Sequence, residues 1–463
     1  MVDFISLGGA LSIPLILGLS LLNLFMDDRQ HFYFWEKTFI ALGLGWGVIT
    51  LSMFYMSWAG IYFSPALITL FAFLPILVIS IYRSYRITIP AQATSRILSF
   101  KQQAFKDWQC FEILLFWIMA LTVIFLFFKT MVVVDDVWDS WAVWGFKAKI
   151  YFVHQIIPFE KFDKFRTAWG NWDYPHHVSL METWIFLWLG YWNDQWSRVI
   201  FPLFHLGLVI CLYAFFHRSL NHRIVSLAGA FFVLTLPKLL IMSTGAVCEP
   251  ILLFYYVVSF RLLLEWQEIH DDRLLWLSAV FAGLATWTKN EGAAYVFFNL
   301  VIIYSMMRGK NFVPKITYAL RYAGIAGLVI GPWWFLKSSL HLQNILVNSE
   351  HLNMGYLIEN LSAINHAFAR LTYFFARWGI FNITWIMFLI FLALNRNLIQ
   401  KRPYNYLLLS IFFHISLGFV FSLLDPTEQY LNDLFLRLLV APAILSLMYV
   451  VLIQKENLKE SLR

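Results

Sequence analysis

Charge is scarce in this sequence. Asp, Glu, Lys and Arg make up 13% of its 463 residues, where soluble domains carry about 25%. So little charge excludes an ordinary water-soluble globular protein. Cysteine is nearly missing too: Cys110, Cys211 and Cys248 are far apart and lie in or beside apolar runs. That excludes a disulfide framework and any cysteine-based metal spacing. There is no glycine-rich phosphate loop. No internal repeat or low-complexity tract is visible, so the inverted-repeat transporter architectures gain no support. A basic start is missing as well. Met1 to Leu22 carries Asp3, and no small-residue cleavage site follows, so no cleavable signal peptide is expected.

What the chain does have is apolar length. It is 60% hydrophobic and 19% aromatic, with a mean hydropathy of +0.67. A run of roughly 20 apolar residues crosses a bilayer. Such runs fall at about 4–25, 38–57, 63–82, 111–129, 199–216, 224–240, 250–264, 274–288, 292–307, 316–336, 372–394, 405–424 and 434–453. The expectation is an all-α polytopic membrane protein. Lysine and arginine collect in short loops: 83–109, 217–223, 308–315, 395–403 and the tail after Gln454. If the spans alternate, all of these lie on one side, and the positive-inside bias makes it cytoplasmic. The net charge of +7 is explained by that bias and calls for no nucleic acid. The opposite side then receives 130–198, 241–249, 289–291, 337–371, 425–433 and the N-terminus.

One segment interrupts the alternation. Residues 174–190, YPHHVSLMETWIFLWLG, are apolar but short, and carry His176, His177 and Glu182. They are read as an interfacial or re-entrant helix, with Tyr174-Pro175 at its start, since proline suits a first helical turn.

The outer side is where unusual residues gather. The stretch 132–153, VVVDDVWDSWAVWGFKAKIYFV, places Asp135, Asp136 and Asp139 next to a span. Trp138, Trp141 and Trp144 follow, then Lys147 and Lys149. On an α-helix Asp135 and Asp139 share a face. Acids at one end and lysines at the other suit a base and a phosphate holder; an interfacial helix with a tryptophan belt explains the same residues. Lys289-Asn290-Glu291-Gly292 lies between two spans too close for a real loop, so its opposite charges must face water, each other or a ligand. Glu249-Pro250 opens a span, and Arg437 follows Asp433 by four residues. His205 and His414, alone within spans, read as hydrogen-bonded structural residues. Lys238, near a helix end, reads as snorkelling.

These motifs, in this order, resemble the GT-C glycosyltransferases, in particular the bacterial group near the protein O-mannosyltransferases and the lipid A aminoarabinose transferase. Asp139-Ser140-Trp141-Ala142-Val143-Trp144, with Gly145-Phe146-Lys147-Ala148-Lys149 behind it, is similar to that family's first-loop acid and aromatics. Asp173-Tyr174-Pro175 resembles its juxtamembrane helix start. GAVCEP at 245–250, TKNEG at 288–292 and NDLFLRLLVAP at 432–442 resemble further elements. The likeness spans roughly 111–453. Three departures stand out: Ser140 replaces a second acid, His176-His177 replace prolines and leucines, and three extra spans precede the core.

The apolar runs predict about thirteen transmembrane helices, and the resemblance implies that they form a GT-C-like bundle with a long outer loop carrying juxtamembrane helices. Residues 1–110 would be extra helices and a cytoplasmic loop, 111–336 a catalytic core with outer loop 130–198, and 337–463 an outer loop and C-terminal helices. It implies transfer of a sugar from a polyprenyl-phosphate donor to a lipid, glycan or protein acceptor, in a bacterial inner membrane, on the extracytoplasmic face. Asp139 is the leading base, with Asp136 and Asp135 as rivals. Lys147, Lys149, Lys289 and Arg437 would hold the donor phosphate, and Glu249, Glu291, Tyr174 and His176 the substrates. No cofactor is named, and a divalent cation is left open. A transporter or lipid flippase is the competing class.

Overall fold

The computed structural model describes residues 2–26, 32–86, 108–134, 137–162, 170–309, 311–342 and 353–461. Among these there is no strand. Seven helical stretches are long and apolar enough to cross a membrane: Val2–Phe25, Phe34–Trp58, Cys110–Val132, Asp194–Leu220, Phe312–Ser339, Tyr404–Leu424 and Tyr430–Leu458. A polytopic helical membrane protein follows. The chain divides into two compact units.

Unit 1 holds Met1–Trp172, His176–Ala214 and Thr244–Cys248. Its first helices are α1 (Val2–Phe25), α2 (Phe34–Trp58), α3 (Pro65–Arg86) and α4 (Cys110–Val132). α1 and α2 touch backbone to backbone. A Cβ on Gly18 would strike the Ala41 carbonyl, and one on Gly45 the Pro14 carbonyl, the close approach that small residues allow between apolar helices. α5 (Phe146–His154) and α6 (His177–Leu189) complete the centre. α6 starts two residues after Pro175, with His176 as its N-cap, so the proline lies just ahead of the helix rather than in its first turn. Thirteen residues span only about 20 Å, too short to cross a bilayer.

α6 is also not the half-wet helix expected of an interfacial segment, because every residue from His177 to Phe186 is buried. Four of its polar side chains find partners in neighbouring elements of unit 1. Thr50 Oγ1 lies 2.7 Å from His177 Nδ1. Ser179 donates to the Trp144 carbonyl at 2.9 Å and Thr183 to that of Ala148 at 3.2 Å. The Trp184 indole donates to the Ala10 carbonyl at 2.8 Å. Satisfied polar groups are what allow so apolar a helix to sit inside a protein.

Unit 2 holds Asp173–Pro175, Phe215–Ser243 and Glu249–Arg463. α7 (Ile200–Leu220) contributes its last residues to it, followed by α8 (Arg223–Leu234) and α9 (Pro237–Thr244). These last two form the expected 224–240 span, bent by 54°. Pro237 causes the break: it is favoured as a first helical residue and pushes Leu236 out of the helical region. Next come α10 (Glu249–Ile269), α11 (Asp272–Thr288), α12 (Gly292–Met306) and α13 (Phe312–Ser339). α10 is long enough to span but carries Arg261 and Glu265, a buried pair at 3.6 Å. A polar knot fastens these helices. Ser259 and Ser278 donate to each other's carbonyls at 2.8 Å, and Asn299 donates to Tyr322 Oη at 2.8 Å and to Ser259 Oγ at 3.1 Å. The expected span 372–394 is not one helix. α14 (Ser362–Ala376) and α15 (Thr384–Leu394) are separated at Asn382, whose φ is 47°. α16 (Tyr404–Leu424) and α17 (Val440–Ser461) follow.

Candidate functional site

In unit 1 the stretch singled out in the sequence does not continue as an α-helix. Residues Asp139–Gly145 form a π-helix that runs directly into α5. Such wide turns recur at functional sites. They also change the face arithmetic: from Asp139 to Gly145 the wider turn, not an α-helical rotation, sets which side chains share a face. Trp138 and Trp141 meet edge to face at 4.9 Å and are both partly exposed. Trp144 is buried, with Lys147 Nζ 4.7 Å from its ring. Lys147 and Lys149 part company on α5. Lys147 is fully buried and reaches the Asn171 carbonyl at 3.5 Å. Lys149 is exposed, 3.7 Å above the Trp192 ring.

A cavity of about 560 Å³ opens beside the π-helix. Ser140, Trp141, Gly145, Phe146 and Lys149 form one wall, Glu182 of α6 another, and Trp192 to Gln195 with Val134 and Arg198 the rest. Asp139 is half-buried and is not part of the lining. Asp135 and Asp136 lie outside the described residues. The carboxylates on this cavity are Glu182 and Asp194, neither of which sequence reasoning selected. The available signal was a single acid, Glu182, kept within an otherwise apolar run.

His176 is fully buried against Tyr151, Phe159 and Phe162, with its Nδ1 2.7 Å from Tyr151 Oη. Burial, reinforced by the Lys147 charge, holds its pKa well below the ordinary 6.5. Burial alone takes His177 to about 3. Both imidazoles are therefore neutral, and the structure makes them core residues of unit 1.

In unit 2 the remaining candidates come together. Six side chains alternate in sign along a ladder. Lys238 pairs with Asp433 at 3.3 Å, Asp433 with Arg437 at 2.7 Å and Arg437 with Glu249 at 3.5 Å. Glu249 pairs with Lys289 at 3.2 Å, and Lys289 with Glu291 at 2.9 Å. Three tight features supply it. Thr288 ends α11 and Gly292 begins α12, so Lys289, Asn290 and Glu291 form a turn closed by the Gly292 amide on the Lys289 carbonyl at 2.9 Å. A Cβ on Gly292 would run into the Ala285 carbonyl. Glu249 is the first residue of α10, where a carboxylate suits the helix dipole. Asp433 lies within a π-helix, Tyr430–Leu434, and Arg437 in the helical turn that follows it, ahead of α17.

Glu249, Lys289 and Glu291 are buried. They line a cavity of about 20 Å³, room for one water, whose other walls include Leu252, Leu253, Phe421 and Leu438. Nearby, Asp173 meets Lys337 at 3.7 Å, and Tyr174 beside it is buried. Lys238, read as snorkelling, is instead the end of this ladder. His414 is buried against the Ser410 carbonyl at 2.7 Å, in keeping with a structural role. Among the described residues, no group of three or more His, Cys, Asp and Glu side chains is placed to hold a metal ion. Comparison with protein-family models, with curated proteins and with solved structures returns no match for this chain.

Proposed function

We propose that this protein is a membrane glycosyltransferase that moves a sugar from a polyprenyl-phosphate donor to an acceptor hydroxyl on the extracytoplasmic face of a bacterial inner membrane. The observation that carries the reading is the unit 2 ladder. Lys289 and Arg437 converge on one carboxylate beside the water-sized cavity with leucine and phenylalanine walls, so a donor phosphate would displace Glu249 from between them and widen that cavity. That pairing of charged end and apolar wall matches a ligand with a phosphate head and an isoprenoid tail. Glu249 holds the two cations where a phosphate would sit, and Asp433 and Glu291 keep them in place. In a water-poor site such cations stabilise a departing phosphate by a few kcal/mol.

The reaction balances simply. The acceptor oxygen bonds to the anomeric carbon, and the bond from that carbon to the phosphate oxygen breaks. Its electron pair leaves with the polyprenyl phosphate, and the hydroxyl proton passes to a carboxylate. Asp139 is the proposed base; Asp136 and Asp135 are its rivals. A radiolabelled polyprenyl-phosphate sugar, offered to the purified protein, tests the reading. Transfer is expected in the wild type. Asp139→Asn should lose at least about a hundredfold in turnover, the low end for a positioned base, while donor binding is retained. Arg437→Ala or Lys289→Ala should weaken donor use.

A transporter or lipid flippase is the second reading. The bent α8–α9 pair favours it, because Lys238 on the second half joins the ladder, and broken helices line ion sites in transporters. Movement of the labelled lipid without cleavage of the sugar-phosphate bond would select it.

A further inference from the structure

The unit 1 cavity has a composition that the donor reading does not use. Its aromatic surfaces are Trp141, Trp192 and Phe146, and both indoles are partly exposed, 40% and 43%. Between them stand planar polar groups of every kind: carboxylates on Glu182 and Asp194, amides on Asn193 and Gln195, a guanidinium on Arg198. Several are fixed in place. Arg198 is held by the carbonyls of Asp194 at 3.0 Å and Val133 at 3.1 Å. The Trp192 indole donates to Asp194, and Asn193 caps the turn by accepting from the Trp196 amide at 3.1 Å. Ser197 donates to Glu182 at 3.4 Å. At about 560 Å³ the space falls within the usual range for small-ligand sites, roughly 300–1,000 Å³.

We infer that this cavity binds a saccharide. A pyranose ring has one flat C–H face, which packs on an indole, and a rim of hydroxyls that both donate and accept. Flat aromatic walls with fixed carboxylate, amide and guanidinium groups answer both halves. A phosphate fits less well, because Glu182 and Asp194 offset Lys149 and Arg198. An acyl chain fits less well, because it would strand these polar groups without water. The inference rests on the transferase reading in one respect: there the saccharide is the acceptor, so the acceptor is a glycan or the sugar portion of a glycolipid.

The test is direct binding with the full-length protein in detergent, read by saturation-transfer NMR. The probes are the methyl glycosides of glucose, galactose, mannose and N-acetylglucosamine, with inorganic phosphate and trialanine as comparators. At least one glycoside should bind saturably. Trp141→Ala and Glu182→Gln should each weaken it about tenfold, as expected when a ring face or a charged hydrogen-bond acceptor is removed. Lys455→Ala, in a separate pocket of unit 2, serves as the control that keeps binding. Trp192→Phe retains an aromatic face and is the second variant should Trp141→Ala fail to fold; it should keep binding within a few-fold, with Trp192→Ala losing it. The inference is overturned if no glycoside binds, if phosphate or trialanine binds in its place, or if Trp141 and Glu182 variants bind as the wild type does. Because no donor is present, its failure is separate from that of the transferase. Glycoside binding without transfer sinks only the enzyme, and transfer to an acceptor lacking sugar sinks only the saccharide site.

Discussion

At the scale of single residues, the ladder and the buried histidines make opposite demands on charge. Glu249 faces two cations, so neutralising it leaves both short of a partner. Lys289 keeps Glu291, however, and Arg437 keeps Asp433. Glu249→Gln is therefore expected to cost about 2 kcal/mol, less than the roughly 3–5 kcal/mol of breaking an isolated buried pair. Resistance to unfolding in SDS measures it, and unchanged resistance would refute the packed ladder. His177 is the reverse case, a group kept uncharged. With a folded pKa near 3 against an ordinary 6.5, the native state refuses a proton that the unfolded chain accepts. Its contribution is fully present above pH 6.5 and is lost as pH falls toward 3, by up to about 1.4 kcal/mol per pH unit. The thermal midpoint of the wild type should fall more steeply between pH 6.5 and 4 than that of His177→Gln. Equal slopes would mean that the imidazole is accessible. Local charge patterns were legible at this scale: the Asp433–Arg437 spacing is one helical turn, and the tight turn left Lys289 and Glu291 to face water, a ligand or each other, of which the structure shows the last. The choice of Glu249 as the common partner was not legible, since it joins residues 40 and 188 positions away.

At the scale of elements, apolar length announced the long helices, while their interruptions were written more faintly. Pro237 predicts a break only once 224–240 is doubted as one span. Within 372–394 the break at Asn382 is marked only by the asparagine itself, a residue type enriched at positive φ. The π-helix at 139–145 has no sequence signal that hydropathy reveals, and the expected shared face of Asp135 and Asp139 lies partly outside the described residues. The α1–α2 contact is the sharpest element-level constraint. Gly45 lies against the Pro14 carbonyl and Gly18 against that of Ala41, and no side chain can yield because both obstacles are backbone. Gly45→Val should force the helices apart and lower stability by at least about 1–3 kcal/mol, the usual range for overpacking. Gly8→Ala, with open space at its Cβ, should be neutral. Thermal unfolding of the two variants in one detergent decides the point; equal midpoints would mean that the helices do not touch there.

At the scale of the whole molecule, membrane class was fully legible from hydropathy, and sidedness rests on the basic loops. Part of that argument, Arg96, Lys101 and Lys106, lies outside the described residues. Sidedness gives a clear prediction. In a cysteine-free background, Tyr191→Cys, exposed at the end of α6, should react with an impermeant maleimide in intact cells. Reaction only after permeabilisation would place 130–198 inside and reverse the topology. The serine knot of unit 2 has a consequence of a different kind, for the order in which the chain is built. Ser259 and Ser278 satisfy each other's hydroxyls within a hairpin closed by Ile269 and Asp272. The two serine hydroxyls are therefore met before α12 or α13 has been synthesised, while the Tyr256 hydroxyl of α10 waits for Ser410 of α16. The hairpin can leave the ribosome's membrane channel as a pair with both serine hydroxyls met. Asn299 and Tyr322 then arrive in sequence and bind to a dock already formed, so assembly of this half can follow translation from one end to the other.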